Sequence, residues 1–466
     1  MARLLARCAV LDPWRFYDTQ RIIKTGEGHV SYEKADWYTD ISLVDDPHAY
    51  FDYLRAQGPV VPLPYRGAVA VVGYEETVKV ALDTEHFSEI NGVTGGMVDL
   101  PFVPEGDDIG DQLEAHRSQI AFADQIVCEQ GARHADLRSI LSRLFTPSRL
   151  KQLQPQLAAT AEGLIDEFHR DGRVDMVRQY GGPYGALVIS DLLGLSQATR
   201  GRFRKLLEGA IPVPMDATHE EMMKNPLVPV GKELFGLIAR RRLANHRLVR
   251  PLLRPFRVLL AQEDILSELA KATFPDGSRP SLVDVTGLAA FLFGAGQDTT
   301  NRLLANGFKV IATRPDIQAE LRRDPARIPD FIEELLRYDG SVKSAGRLCR
   351  KSTTLGGVEI KAGTPILMSH MAANRDPARF PDPSRFDMDR PRIKEHLAFG
   401  RGPHTCIGAP LARREVAVSI ERLLARMDNI RLSGEQHGPE GARRFEYEPT
   451  YVLRALKALH LEFDPL

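Results

Sequence analysis

A glycine-rich segment around Cys406 constrains the fold of this chain more than any other feature. It reads FGRGPHTCIG from Phe399 to Gly408. Its three glycines let the backbone turn tightly and approach a flat object closely. Pro410 follows at a position typical of the first turn of a helix. We therefore expect the Cys406 thiolate to lie at the positive end of a helix, where unpaired backbone N–H groups stabilise it.

A thiolate in this setting suits a redox-active iron, because it donates electron density to the metal while the N–H groups tune the potential. The segment resembles the loop F-G-x-G-x-H-x-C-x-G of the cytochrome P450 superfamily at all six fixed positions. A buried structural cysteine and a nucleophilic Cys/His pair are the alternatives, and neither explains the glycines together with the phenylalanine. The resemblance implies haem b with Cys406 as the axial iron ligand and with the remaining loop residues beside the cofactor: Phe399, Gly400 and Gly408.

A second pattern interrupts a long apolar helix predicted over 282–312. The sequence AGQDTT from Ala295 to Thr300 places a glycine and a buried acid there, and both are unfavourable in a helix interior. Thr299 could bond back to its own helix and open a groove. The resemblance implies that this stretch covers the haem, that Ala295 packs on the cofactor, and that Asp298 and Thr299 deliver protons during dioxygen cleavage.

Glu334 and Arg337 place opposite charges on one helix face. Such a pair is weak evidence alone. Here it follows the long helix and precedes the cysteine loop, in the order that the P450 family shows. The resemblance implies a structural ion pair that holds the chain leading to Cys406.

His134 and Arg138 lie one turn apart on another predicted helix, so both could bind one anionic group. On the local pattern alone, a solvated helix face is the favoured interpretation. The resemblance implies that His134 and Arg138 bind the haem propionates together with Arg347 and His404.

Composition excludes several other classes. The 466 residues are 43% hydrophobic and 26% charged, as in a globular protein. A net charge of -1 lacks the excess of positive charge that is typical of a nucleic-acid binder. No apolar stretch is long enough to span a membrane, and Pro13 and Trp14 interrupt the apolar N-terminal run, so we expect a cytoplasmic protein. The four cysteines lack a CxxC pair, which argues against a disulfide framework or structural zinc.

The hydrophobic periodicity predicts a mainly α architecture of the α+β class. The resemblance implies that it is a single cytochrome P450 fold with small sheets. We divide it into an N-terminal extension over 1–45 and a haem-thiolate domain over 46–466. Helices are predicted at 46–57, 74–82, 134–145, 149–168, 184–193, 315–322, 329–338 and 410–427, and strands at 60–62, 68–72, 364–369, 445–447 and 459–463. Residues 89–131 should be irregular, and 209–231 should form a lid or connection. The arginine-dense stretch 240–257 could be an interfacial membrane helix or a solvated one.

The family resemblance implies a monooxygenase that inserts one atom of O2 into a medium-sized hydrophobic substrate, which we expect to be terpenoid-, steroid- or aromatic-like. Electrons would come from NAD(P)H through a ferredoxin reductase and a ferredoxin, with Arg401, Arg413 and Arg414 as candidate docking cations unless they are only a solvated surface. The pocket wall would include Leu292, Phe293, Val342, Tyr451 and Val452. The alternatives are a haem-thiolate sensor without turnover, a peroxide-driven or coupling variant, and a cysteine hydrolase.

Overall fold

The fold is known from a computed structural model that describes residues 32–208, 228–245 and 264–466. It is mainly α-helical, as predicted. Local capping explains where several helices begin. Asp46 accepts backbone N–H bonds at the start of α1 and is followed by Pro47, while Ser281 and Asp284 form a reciprocal capping box. The helices up to the middle of the chain are α1 (Pro47–Arg55), α2 (Tyr74–Leu82), α3 (Gly110–His116), α4 (Gly131–Ser142), α5 (Pro147–Phe168), α6 (Gly182–Leu192), α7 (Gln197–Glu208) and α8 (Val228–Ala244).

The second half of the chain contains the central helix of the molecule. Helix α10 runs over 32 residues, and most of them are buried. It packs against α6, α8, α12 and α14, so it has protein neighbours along its length. The helices of this half are α9 (Ile265–Lys271), α10 (Leu282–Thr313), α11 (Pro315–Arg323), α12 (Ile328–Asp339), α13 (His370–Ala373), α14 (Ala409–Arg426) and α15 (Gly434–His437).

Ten short strands form three sheets in the described residues. The largest has the order β1-β2-β8-β5-β3, in which β2 and β8 are parallel and the other pairs antiparallel. The others are β4-β10-β9 and the hairpin β6-β7. The strands are β1 (Val60–Pro62), β2 (Val69–Val71), β3 (Phe87–Ser88), β4 (Arg173–Asp175), β5 (Ala345–Cys349), β6 (Thr353–Leu355), β7 (Val358–Ile360), β8 (Pro365–Met368), β9 (Met427–Leu432) and β10 (His460–Pro465).

The predicted strand at 445–447 is wrong, because only Tyr447 pairs there, in an isolated bridge to Leu456. The predicted irregular stretch 89–131 is mostly irregular but includes α3. Strands β3, β4, β5, β6, β7 and β9 were missed because most are too short to show a period of two.

Residues 32–45 pack onto the rest of the molecule. Trp37 stacks on Tyr50 and contacts Phe51, with ring centroids 5.9 and 4.7 Å apart. Leu43 is buried in the same cluster. The domain boundary at 45/46 remains a prediction. Trp37 and Leu43, which make these contacts, lie in the predicted N-terminal extension.

Two predicted features fall partly outside the described residues. Of the predicted lid at 209–231, only the last residues are described, and they begin α8. Of the arginine-dense stretch 240–257, the described part is the end of α8 and Asn245. Within the described ranges, no helix has the length and apolar character needed to cross a membrane.

Candidate active site around Cys406

The cysteine loop is closed by a hydrogen bond from the Cys406 backbone N–H to the Phe399 carbonyl, 2.8 Å long. Gly400 and Gly402 have φ values of +69° and +75°, a conformation that favours glycine. A Cβ on Gly402 would lie 2.6 Å from the Ala81 carbonyl oxygen, so the loop can pack on α2 only without a side chain there. Helix α14 begins three residues after Cys406, as predicted.

Cys406 opens into a large interior cavity. The cavity holds about 1710 Å³ not filled by protein, including its opening to solvent. The Cys406 side chain is exposed by surface area because it faces this space, yet protein surrounds it otherwise. Burial therefore raises the pKa of the Cys406 thiol, while the N–H groups of Gly408 and Ala409 and the charge of Arg138 oppose that rise. The sulfur thus has donors aimed at it, as a metal-bound thiolate requires.

Four cationic or donor side chains meet at one side of the cavity. The rings of His134 and His404 stack with centroids 3.9 Å apart, and Arg138 Nη2 donates to the Thr405 carbonyl at 2.5 Å. Arg347 is 6% exposed, and among the described residues its Nε has no hydrogen-bond acceptor. Burial lowers the pKa of His404 to about 2, aided by His134, Arg347 and Arg138. Burial likewise lowers the pKa of His134 to about 4.

This arrangement fits haem. A flat apolar macrocycle needs a wide cavity, one thiolate ligand and cations for its two propionates. Here the sulfur, the apolar wall and Arg347, whose Nε has no hydrogen-bond acceptor among the described residues, supply those three requirements. Cys406 would hold the iron, and His134, Arg138, Arg347 and His404 would hold the propionates. Bound haem would supply the redox chemistry of dioxygen activation.

The central part of α10 forms another wall. Thr299 Oγ1 donates to the Ala295 carbonyl at 2.8 Å, which confirms the predicted back-bond. Ala295 and Thr299 line the cavity. Asp298 is not among the cavity-lining residues, because its carboxylate pairs with Arg302 Nε at 3.1 Å. Both members of that pair are 1% exposed. The predicted acid–alcohol pair is therefore split between a threonine that lines the cavity and an acid in a buried ion pair.

Glu334 and Arg337 form a fully buried bidentate pair, with N–O distances of 2.6 and 2.7 Å. Arg337 also donates to the carbonyls of Asn374, Pro383 and Arg385. Glu334 accepts the backbone N–H of Asp387. The pair therefore fixes the chain between α13 and the cysteine loop, which is a structural role.

Only some of the residues predicted for the pocket wall line the cavity. Leu292 and Val342 line the cavity, together with Phe399, Gly400 and Gly408 of the loop. Phe293 instead packs edge-on against Phe203, and Tyr451 and Val452 lie in the cluster around Trp37. These three positions are outside the lining because their side chains fill the core behind it. Lys343 also points away, over the Trp37 ring at 5.0 Å.

Three polar residues of the site were not predicted. Glu415 is 4% exposed, lines the cavity and accepts a 2.7 Å bond from Thr300 Oγ1. Burial raises its pKa to about 7. His370 lines the cavity beside Arg347, and Glu89 lies 3.5 Å from Arg347 Nε. Glu415 could have been suspected from its place in an otherwise apolar helix stripe; His370 and Glu89 carried no local signal.

Comparisons with known proteins agree with this geometry. The sequence profile of the family described as Cytochrome P450 matches residues 258–437. The chain is 31% identical to the cytochrome P450 monooxygenase PikC of Streptomyces venezuelae over 90% of its length and 91% of that protein. It is 30% identical to the 6-deoxyerythronolide B hydroxylase of Saccharopolyspora erythraea, covering 85% of this chain and 92% of the other.

A solved structure is similar as well. The substrate-free cytochrome P450 CYP150A6 of Mycobacterium marinum superposes with a TM-score of 0.83 and 45% identity, over 93% of this chain and 100% of that one. The described ranges contain no cluster of three or more His, Cys, Asp or Glu that could hold a metal by itself. From its cysteine loop, its cavity and these likenesses, the chain belongs to the cytochrome P450 family.

Proposed function

We propose that this P450 monooxygenase inserts one oxygen atom from O2 into a medium-sized hydrophobic substrate. The observation that carries the proposal is the Cys406 cavity, whose lining includes apolar side chains such as Phe291, Leu292 and Val342. Such a wall favours an apolar ligand. The terpenoid-, steroid- or aromatic-like class inferred from the sequence is part of this proposal, and so is a cytoplasmic location.

Within this function, Thr299 is the proposed proton-delivering group, since this residue lines the cavity. Asp298 would act behind it as a positioning residue, because its carboxylate is held by Arg302. The cavity and the backbone of α10 would exclude bulk water from the reacting centre.

The ligand assignment is tested by the absorption spectrum of the reduced protein under carbon monoxide. We expect a strongly red-shifted Soret band for the native chain and its loss in Cys406→Ser. Cys349→Ala removes another buried free thiol and is the matched control, which should keep the shifted band. Retention of the shift in Cys406→Ser would overturn the assignment.

We also propose a ferredoxin as the electron donor. Arg401 and Arg414 are exposed near the cysteine loop, whereas Arg413 is bound by Glu333 at 2.5 and 2.9 Å. Exposed cations speed association with an acidic partner. Arg401→Glu should raise the KM for ferredoxin and weaken its salt dependence, while the exposed Arg178→Glu on another element should not. Equal KM values for both variants would argue against docking at this face.

The sensor alternative predicts haem binding without turnover. Product formation with a surrogate ferredoxin and reductase separates it from the monooxygenase. A substrate screen by spin-state change would narrow the substrate class.

A further inference from the structure

A second cavity lies away from the Cys406 site, where α10 and α12 end. It holds about 980 Å³ not filled by protein, including its open side, and shares no lining residue with the Cys406 cavity. Its wall comes from five separate parts of the chain: the start of α1, the ends of α10 and α12, the segment after α13, and the stretch before β10. We call it the basic cleft, because five of its lining residues are cations: Lys309, Arg314, Arg375, Arg385 and Arg454.

The deepest part of the basic cleft has two cations and one acid. Lys309 Nζ donates to Asp339 Oδ2 at 2.8 Å and to the Tyr447 hydroxyl at 3.0 Å. Arg454 Nε lies 3.5 Å from Asp339 Oδ1. Arg454 is only 6% exposed, and within the described part of the chain its Nε has no hydrogen-bond acceptor. The Arg454 Nη1 and Nη2 atoms donate to the neutral carbonyls of Val44 and Asp45. One carboxylate therefore serves two cations, and a buried charge without a counter-charge is costly.

The mouth of the cleft adds further positive charge. Arg375 donates from Nε and Nη2 to the Tyr338 carbonyl at 3.2 and 2.9 Å, and its guanidinium lies over the Tyr338 ring at 4.4 Å. Arg385 is exposed, and its guanidinium has no hydrogen bond or ion pair to any described residue. Arg314 differs, because Asp316 neutralises it through two bonds. Four cations thus remain against Asp339.

Helix ends explain only part of this charge. The C-termini of α10 and α12 each carry about half a negative charge, which attracts cations. Together with Asp339 they offset about two of the four positive charges. The pKa of the buried His48 side chain is well below its usual value, first through burial and then through Arg375, with Asp339 opposing. By this count of charged groups the cleft keeps about two positive charges in excess.

We propose that the basic cleft binds a small multiply charged anion of the phosphate class, as free phosphate or as the phosphate group of a small molecule. Guanidinium groups match phosphate oxygens with paired donors, and an anion of charge −2 compensates the cations that remain. Ser384 lines the same cleft, and its hydroxyl can donate to a further oxygen. A bound anion would join the end of α10 to the segment after α13, which the Glu334–Arg337 pair also holds.

The test uses the haem-loaded protein and does not depend on its catalytic activity. Pyrophosphate and inorganic phosphate are titrated at fixed ionic strength against chloride while the unfolding temperature is followed, and calorimetry gives the affinity. We expect a saturable rise in unfolding temperature with either phosphate compound and none with chloride. In a second arm of the experiment, the protein is titrated with vesicles that contain phosphatidic acid. If the protein binds these vesicles more strongly than it binds pyrophosphate, the phosphate group that the cleft recognises belongs to a lipid headgroup.

Two variants locate the site. Arg385→Ala removes an exposed cation that makes no contact, so it should fold normally and weaken pyrophosphate binding five- to tenfold. Ser384→Glu places a negative charge in the cleft and should abolish binding. Arg422→Ala, an exposed arginine of α14, is the control and should bind as the native chain does. The proposal is overturned if phosphate compounds act no differently from chloride, or if Arg385→Ala and Ser384→Glu bind as tightly as the control.

Discussion

At the scale of single residues, the wall formed by α10 separates groups that are adjacent in sequence. The Asp298 carboxylate pairs with Arg302. The Thr299 hydroxyl donates to a carbonyl of its own helix, and the Thr300 hydroxyl donates to Glu415. A helix turns 100° per residue, so three consecutive side chains face different neighbours. Thr299 and Thr300 both line the cavity, and of these two only Thr300 bonds a carboxyl group.

We expect Thr299→Ala to keep consuming O2 while less product forms per NAD(P)H and more hydrogen peroxide is released. The reason is that the cavity loses the hydroxyl that would deliver protons. The measurement is product and peroxide per NAD(P)H. Thr313→Ala removes the same kind of back-bond near the end of the same helix, away from the cavity, and should leave the ratio unchanged. Unchanged coupling in Thr299→Ala would contradict the role.

Glu415 provides a pH prediction. Its pKa is about 7 in the folded protein against 4.5 for the free group. Between these values the folded state keeps a proton that the unfolded state loses, so the free energy of unfolding falls as pH rises and levels off above pH 7. The contribution is about 3 kcal/mol.

Glu415→Gln should therefore flatten the fall in unfolding free energy between pH 5 and pH 8, and it should stabilise the protein at pH 8. Denaturant unfolding at several pH values measures both effects. Glu421→Gln, an exposed position of the same helix, should leave the pH profile as it is. A profile that is equally steep in Glu415→Gln would show that the carboxyl is ionised in the folded state.

At the scale of elements, α12 and the segment after α13 are held together by one buried ion pair. Glu334 is the shared acceptor for Arg337, Arg390 and the Asp387 N–H. Removing it leaves two buried guanidinium groups without their carboxylate. The cysteine loop follows this segment directly, so its geometry depends on the same pair.

We predict that Glu334→Ala lowers the free energy of unfolding by about 3–5 kcal/mol, as expected for breaking a buried pair, and yields haem-poor or aggregated protein. Haem content per chain and denaturant unfolding measure this. Asp330→Ala breaks a partly exposed pair with Arg327 on the same helix, and should cost less than about 1 kcal/mol. A fully loaded, stable Glu334→Ala protein would refute the structural role.

At the scale of the whole molecule, residues 32–45 close one side of the core. Besides the Trp37 contacts, Arg454 donates to the carbonyls of Val44 and Asp45 at 2.6 and 2.9 Å. This segment therefore contacts both the aromatic cluster of α1 and an arginine of the basic cleft.

A chain that begins at residue 46 should be less stable than one that begins at residue 32. The loss of the Trp37 contacts alone is expected to cost about 3–5 kcal/mol, as for removal of a buried tryptophan. Thermal and denaturant unfolding of the two truncated chains give the difference. Trp37→Ala in the full chain tests the same contact without truncation. Equal stability of the two truncated chains would support placing the domain boundary at 45/46.

The sequence by itself determined the family, the mainly α fold, the cysteine loop, the Glu334–Arg337 pair and the back-bond of Thr299. These depend on residues that are close in sequence, so periodicity and spacing reveal them. The tertiary structure alone decided that Asp298 faces Arg302, that Phe293, Tyr451 and Val452 fill the core, and that Glu415 meets Thr300. The tertiary structure alone also showed that the residues of the basic cleft lie together. These features arise where distant segments pack, and burial and partner choice there depend on the whole fold.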